Sequence, residues 1–218
     1  MRRRLLFLLF FLPATLYAAE DAVHQISERV DQHYNHLASM KADFEENYEG
    51  AGIQRSAKGV LFLKKPGKMR WEYSIPQQKL FVTDGRTAYF AVNGEQQVRK
   101  APVKDLDDMR SPLRYLLGKT KLEKEMASLS FAAGQTPSTS GNWMLRGIPE
   151  SMGDRIADVL LEINPQYQIS RMVIHGNDGS TTEFRFSDIR ENVRVDDSLF
   201  AYKPPPGVEV VEDKSLAR

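Results

Sequence analysis

The sequence predicts a mainly β protein with a smaller α component: one large antiparallel sheet with two helical segments left over to cover a face. Three observations carry this. Hydrophobic alternation with period two recurs along most of the chain. Short turn signals such as Pro66-Gly67, Asp84-Gly85 and Asn177-Asp178-Gly179 separate the alternating stretches. Helical spacing of apolar residues occurs in only two places. The count comes to about nine to eleven strands, and a sheet of that size tends to curl.

The chain opens with "MRRR", a basic stretch, followed by the apolar "LLFLLFFLPATLY" and small residues at Ala18 and Ala19. This is the pattern of a secretory signal peptide. The apolar run falls short of the roughly 20 residues a membrane-spanning helix needs. Cleavage is expected after Ala18, with Ala19 as the alternative, dividing the chain into a signal peptide (1–18) and a single domain (19–218). Losing Arg2, Arg3 and Arg4 from the 30 basic residues leaves 27 against 29 acidic ones. That near-neutral balance gives no electrostatic footprint for nucleic acid. The chain has no cysteine, so stability must come from burial and sheet hydrogen bonds rather than disulfides. The expected location is a bacterial periplasm.

Val23, Ile26, Val30, Tyr34 and Leu37 recur at helical spacing and predict an amphipathic helix over 22–39. From Met40 the period becomes two, with Met40, Ala42, Phe44 and Tyr48 on one face, and "EGAG" ends that strand. "SAKGVLFLKK" forms the next, and Pro66-Gly67 turns it into "GKMRWEYSIP". There Met69, Trp71, Tyr73 and Ile75 share one face and Lys68, Arg70, Glu72 and Ser74 the other. Leu61 and Leu63 are expected on the same inward face as Trp71, but "GVLFL" is apolar on both faces and a hairpin loop one residue different would swap in Val60 and Phe62. Met69, nearest the hairpin end, is expected at the rim of the inward face. "KLFVTDGRTAYFAV" is a hairpin about Asp84-Gly85, and "NGE" at 93–95 turns the chain again.

Near residue 105 the spacing becomes helical once more. Leu106, Met109, Leu113, Leu116 and Leu117 form the second helical segment, with Ser111 as cap, Pro112 at the first helical position and Gly118 as terminator. Strands then return in "WMLRGI", "RIADVLLEINP", "QISRMVIH" and "STTEFRFSDI". "AYKPPPGVEVVE" is a proline-rich tail suited to a sheet edge.

Catalytic constellations do not stand out. There is no Gly-x-Ser-x-Gly nucleophile elbow and no phosphate loop. His33 and His36 lie three apart on the first helix, too few for a metal site without a third ligand, and read as a solvated helix face. Glu72 lies on the polar face of its strand, and Asp84 is accounted for by its turn. No enzyme activity, cofactor or metal is expected.

Taken in order, "GVLFLKKPGKMRWEY", "LFVTDGRTAYFAVNGEQQV", "SPLRYLLG" and "FAYKPPPGVEV" resemble the periplasmic outer-membrane lipoprotein carrier family, LolA. The resemblance covers nearly all of the chain after the signal peptide. It implies an incomplete, strongly curved antiparallel barrel under a helical lid, enclosing an apolar cavity for lipoprotein acyl chains. On that reading Leu61, Leu63, Met69, Trp71, Tyr73 and Ile75 line the cavity, and Ile26, Val30, Leu113 and Leu117 line the lid. The implied partners are lipoproteins, an inner-membrane ABC transporter complex and an outer-membrane lipoprotein receptor, with the protein itself a monomer. The family commonly carries an arginine just before the proline of "KKPG", where it holds the lid through backbone carbonyls. Here that position is Lys65, whose ammonium lacks the planar fork of a guanidinium. The alternative reading is a periplasmic lipid-sensing or partner-binding regulator on the same fold.

Overall fold

The computed structural model describes residues 14–103, 116 and 121–213, with side chains from residue 19. Helix α1 (Ala14–His36) leads into β1 (Ser39–Gly50), and β2 (Ile53–Lys64), β3 (Lys68–Ile75), β4 (Lys79–Thr83), β5 (Thr87–Val92) and β6 (Gln97–Pro102) follow. Then come the one-turn helix α2 (Leu122–Glu125) and β7 (Met126–Phe131), β8 (Trp143–Pro149), β9 (Ile156–Ile163), β10 (Ile169–Gly176) and β11 (Thr181–Glu191). A 3-10 turn (Asp197–Phe200) and β12 (Glu209–Glu212) complete the order.

The twelve strands among the described residues form one open sheet in the order β12-β6-β5-β4-β3-β2-β1-β11-β10-β9-β8-β7. The chain meanders outward from β1 to β6, resumes at the far edge with β7, and meanders back until β11 pairs with β1. The number exceeds the expected range because Met126–Phe131, a short and mostly exposed segment with little alternation, is also a strand. The sheet is also not wholly antiparallel. The tail crosses back to the first edge and pairs β12 in parallel with β6, Val210 opposite Val98. The early helix ends at His36 rather than 39, since Ser39 is already paired with Lys64 in β1–β2.

Turn chemistry explains the hairpins. Asp84 Oδ1 accepts from the amides of Arg86 and Thr87, each at 2.8 Å, and Gly85 has φ +92°. Asp178 Oδ1 likewise accepts from Ser180 N at 3.0 Å.

The main core lies between α1 and one face of the sheet. Val23, Ile26, Val30, Tyr34 and Leu37 pack onto Met40, Phe44, Leu61, Leu63, Met69, Trp71, Leu161, Met172, Phe184 and Phe186. Each fully buried aliphatic side chain of α1 contributes about 1.5–3 kcal/mol. The opposite face is covered in part by chain rather than by helix. There Ala132, Met144, Leu160 and Val173 form a second small cluster, and Ser138, Thr139 and Asn142 bond to Glu162 on the same face, so β9 is buried on both sides. Of the second helical segment, only Leu116 is described; it is buried in the main core. Leu106, Met109, Ser111, Pro112, Leu113, Leu117 and Gly118 lie outside the described residues, as does most of the expected signal peptide.

Candidate functional site

The inner face around Trp71 follows directly from register. Leu61 pairs with Trp71 and Leu63 with Met69 across β2–β3, so period two places all four on one side. All four are buried, together with Ile26 and Val30 above them on α1. Phe44 and Phe186 stand opposite one another on β1 and β11. The result is an aromatic cluster. The Trp71 ring lies 4.7 Å from Phe44, 5.8 Å from Phe184 and 6.3 Å from Phe186, all edge-to-face. Gly59, opposite Phe44, leaves the room this needs; a Cβ there would meet the Phe44 ring at 2.8 Å and the Glu72 carbonyl closer still.

Two inward expectations change. Met69 is not at an open rim: it is 7% exposed, and Trp71 Nε1 donates to its sulfur at 2.7 Å. Ile75 does not share the buried face. It is 56% exposed, beyond an irregularity in the β2–β3 register between Lys58 and Gly59. It pairs there with Lys58, where the end of β2 from Ile53 to Ser56 is exposed as well. The buried face ends at Tyr73, which is half-buried, 4.9 Å from the Phe44 ring. Burial, and then the neighbouring Glu46 carboxylate, push its hydroxyl pKa well above the ordinary value.

Space beside Trp71 is thus taken by α1 and by rings. A void of about 10 Å³ lies near the end of α1, bordered by Leu37, Leu63, Lys65 and Leu116. A groove of about 640 Å³ lies mainly on the opposite face, where Val60, Leu80, Ala91 and Val98 form an apolar floor beneath Tyr202, Pro205 and Val208. Neither borders Trp71.

α1 is held at both ends by polar groups. Lys65 Nζ donates to Tyr34 O at 2.6 Å and to Asn35 O at 2.7 Å. These carbonyls belong to the last turn of α1, which has no intrahelical donors to satisfy them and where the helix dipole favours a cation. One ammonium thus makes two carbonyl contacts without a guanidinium fork. Burial lowers the Lys65 pKa from its ordinary value. Tyr34 Oη accepts from Ile169 N at 2.9 Å, and burial pushes its pKa up strongly. His33 Nε2 lies 2.7 Å from Glu191 Oε1, so this histidine is an anchor between α1 and β11 rather than a solvated residue. Toward the other end of α1, His24 Nδ1 lies 2.8 Å from Glu123 Oε1 and Ser27 Oγ lies 2.7 Å from the same oxygen. Leu122 N donates to the Asp31 carboxylate at 3.1 Å. The position of Lys65 was legible from the family resemblance; the other anchors were not, because their partners are about 90 to 160 positions away. Among the described residues, no group of three or more His, Asp or Glu could hold a metal ion.

Among the described residues, an open, curved sheet whose apolar face is covered by one long helix defines a half-barrel with a helical cover. The sequence profile of the outer membrane lipoprotein carrier protein LolA matches residues 35–203, and the chain belongs to that family. It is 28% identical over 181 residues to the outer-membrane lipoprotein carrier protein of Nitrosospira multiformis, covering 80% of this chain and 83% of the relative. It is 28% identical over 214 residues to that of Pseudoalteromonas translucida, covering 97% and 96%. Among solved structures, an uncharacterised conserved protein of Thermus thermophilus aligns with a TM-score of 0.57 at 14% identity, over 88% of this chain and 99% of that one. Lipoprotein LppX of Mycobacterium tuberculosis aligns at 0.51 and 15% identity, over 81% and 100%. These two show the fold alone.

Proposed function

We propose that this protein is a periplasmic carrier, not an enzyme, that shelters lipoprotein acyl chains between α1 and the Trp71 face. It takes lipoproteins from an inner-membrane ABC transporter complex and delivers them to an outer-membrane receptor, acting as a monomer after removal of residues 1–18. The observation that carries this reading is the pairing of an aromatic, largely apolar face with a cover held at its end by Lys65. Releasing such a cover means breaking its polar contacts and exposing the apolar stripe of α1.

The expected cavity does not stand open beside Trp71 in this structure, so on this reading an acyl chain must displace α1 side chains to enter. Without cargo, α1 and the aromatic cluster bury their own surface. An acyl chain contributes about 0.8 kcal/mol per buried methylene, while displaced apolar side chains of α1 each forfeit about 1.5–3 kcal/mol. Terms of similar size on both sides give uptake that a receptor can reverse. Ile26 and Val30 would move with the cover, and Leu61, Leu63, Met69, Trp71 and Tyr73 would form the floor.

The test is purification from periplasm followed by mass spectrometry, then transfer to acceptor membranes. Diacyl or triacyl lipoprotein bound one-to-one and delivered to membranes carrying the receptor is the expected result. Bound lipid without transfer would instead support a lipid-sensing regulator. No co-purifying acylated species would overturn both.

A further inference from the structure

The joint between α1 and β1, residues 37–39, is pinned from two sides. Lys65 N donates to Ala38 O at 2.9 Å, beside the grip of its ammonium on α1. From the other side comes the chain leaving β11. Asn192 Oδ1 accepts from Ala38 N at 2.9 Å and Asn192 N donates to Ser39 O at 2.7 Å. Ser39 Oγ donates to Val193 O at 2.5 Å. Asn192 takes φ +51° to do this, a left-handed conformation that asparagine tolerates.

The same C-terminal chain then crosses to the outer face and is bound by the turn that carries Lys65. Lys64 Nζ donates to Val195 O at 2.7 Å. The Asp197 carboxylate sits 2.6 Å from Lys64 Nζ and 2.7 Å from Lys68 Nζ. Arg70 donates to Leu199 O at 2.9 Å, and Phe200 is buried. The strap continues over the outer face, Tyr202 against Tyr89, to its parallel pairing with β6. One β2–β3 turn therefore faces both ways: Lys65 holds the helix, while Lys64 and Lys68 hold the strap.

We propose that Asp197 is a positioning residue for α1: by clamping Lys64 and Lys68 it seats the strap and the turn together, so that lifting the C-terminal segment from the outer face loosens the α1 joint. A single exposed ion pair contributes little, but here two lysines and the backbone carbonyls of Val195 and Leu199 act on one short segment. The strap and α1 share Asn192, Ser39 and the Lys64–Lys68 turn, so a contiguous chain of bonds connects them. The bearing of this coupling on cargo rests on α1 being the lid, but the coupling itself is read without cargo.

The experiment is hydrogen exchange on the cargo-free protein with Asp197→Arg, which reverses the charge facing both lysines, and Asp197→Glu, which keeps it. Asp197→Arg should speed exchange several-fold in the strap (193–200) and in the last turn of α1 and the joint (33–39), leaving β9 and β10 unchanged; Asp197→Glu should restore both. Faster exchange in the strap alone would show that the two are uncoupled and overturn the proposal. An unchanged strap would show that Asp197 does not seat it, and would overturn the proposal equally. Faster exchange everywhere, β9 and β10 included, would reduce Asp197 to a general contributor to stability and overturn its positioning role. Because no lipoprotein is present, failure here leaves the carrier reading standing, and failure of lipoprotein transfer leaves the coupling standing.

Discussion

The ammonium of Lys65, on the β2–β3 turn, lies 2.6 Å from the carbonyl oxygen of Tyr34, at the end of the covering helix. Residues 31 positions apart in sequence are joined at the one place where a helix end needs a donor. Hydrogen bonds to a charged group contribute about 1.5–3 kcal/mol. Lys65→Met is therefore expected to lower stability by about 1–3 kcal/mol in urea titration and to speed amide exchange over 30–37, whereas Lys65→Arg should preserve both. Unaltered exchange in α1 of Lys65→Met would show that this contact does not hold the helix.

Met69→Glu tests the packed interior. Met69 is 7% exposed and receives the Trp71 indole N–H, so the carboxylate would enter a cluster of buried apolar side chains. The expected loss is about 2–5 kcal/mol from cavity and desolvation costs together. A variant with native thermal stability would instead put Met69 beside an opening.

His24 gives a pH dependence. The hydrogen bond to Glu123, then the charge of Glu123, raise its pKa above the ordinary 6.5, with Glu28 and Asp21 adding to the effect. A raised pKa means the protonated latch contributes fully below 6.5 and is lost as pH rises through the folded-state value. The melting-temperature difference between the parent protein and His24→Gln should accordingly shrink from about pH 5.5 to about pH 8.5. A difference that stays constant would show that this contact is not charge-dependent.

Glu162 is buried on the outer face of β9, where it accepts from Ser138 N at 2.9 Å, Thr139 N at 3.0 Å and Asn142 Nδ2 at 2.9 Å. Burial alone would push its pKa up, but these hydrogen bonds outweigh it and hold the value below the ordinary 4.5. Its stabilisation is thus complete above 4.5 and fades as pH falls through the depressed folded-state value. Glu162→Ala strands two backbone donors and should cost about 2–4 kcal/mol, with proteolysis appearing first within 134–142. Equal stability at neutral pH would mean that water satisfies those amides equally well.

Much of this protein is determined locally. Alternation in "GKMRWEYSIP" set the inward face as far as Tyr73, since side chains in a strand must alternate. Asp84-Gly85 and Asn177-Asp178-Gly179 set their hairpins because turn geometry is a property of a few consecutive residues. The helical spacing from Val23 to Leu37 set the buried stripe of α1. Tertiary structure decided the rest. Ile75 continues the alternation yet is exposed, because burial depends on what lies opposite, and opposite it is the exposed end of β2. The pairing of β1 with β11, the parallel return of β12, and the grips of Lys65 on Tyr34, Glu191 on His33 and Glu162 on the loop at 138–142 all join segments distant in sequence. No local period encodes such contacts; they exist only once the sheet has brought both partners within hydrogen-bonding reach.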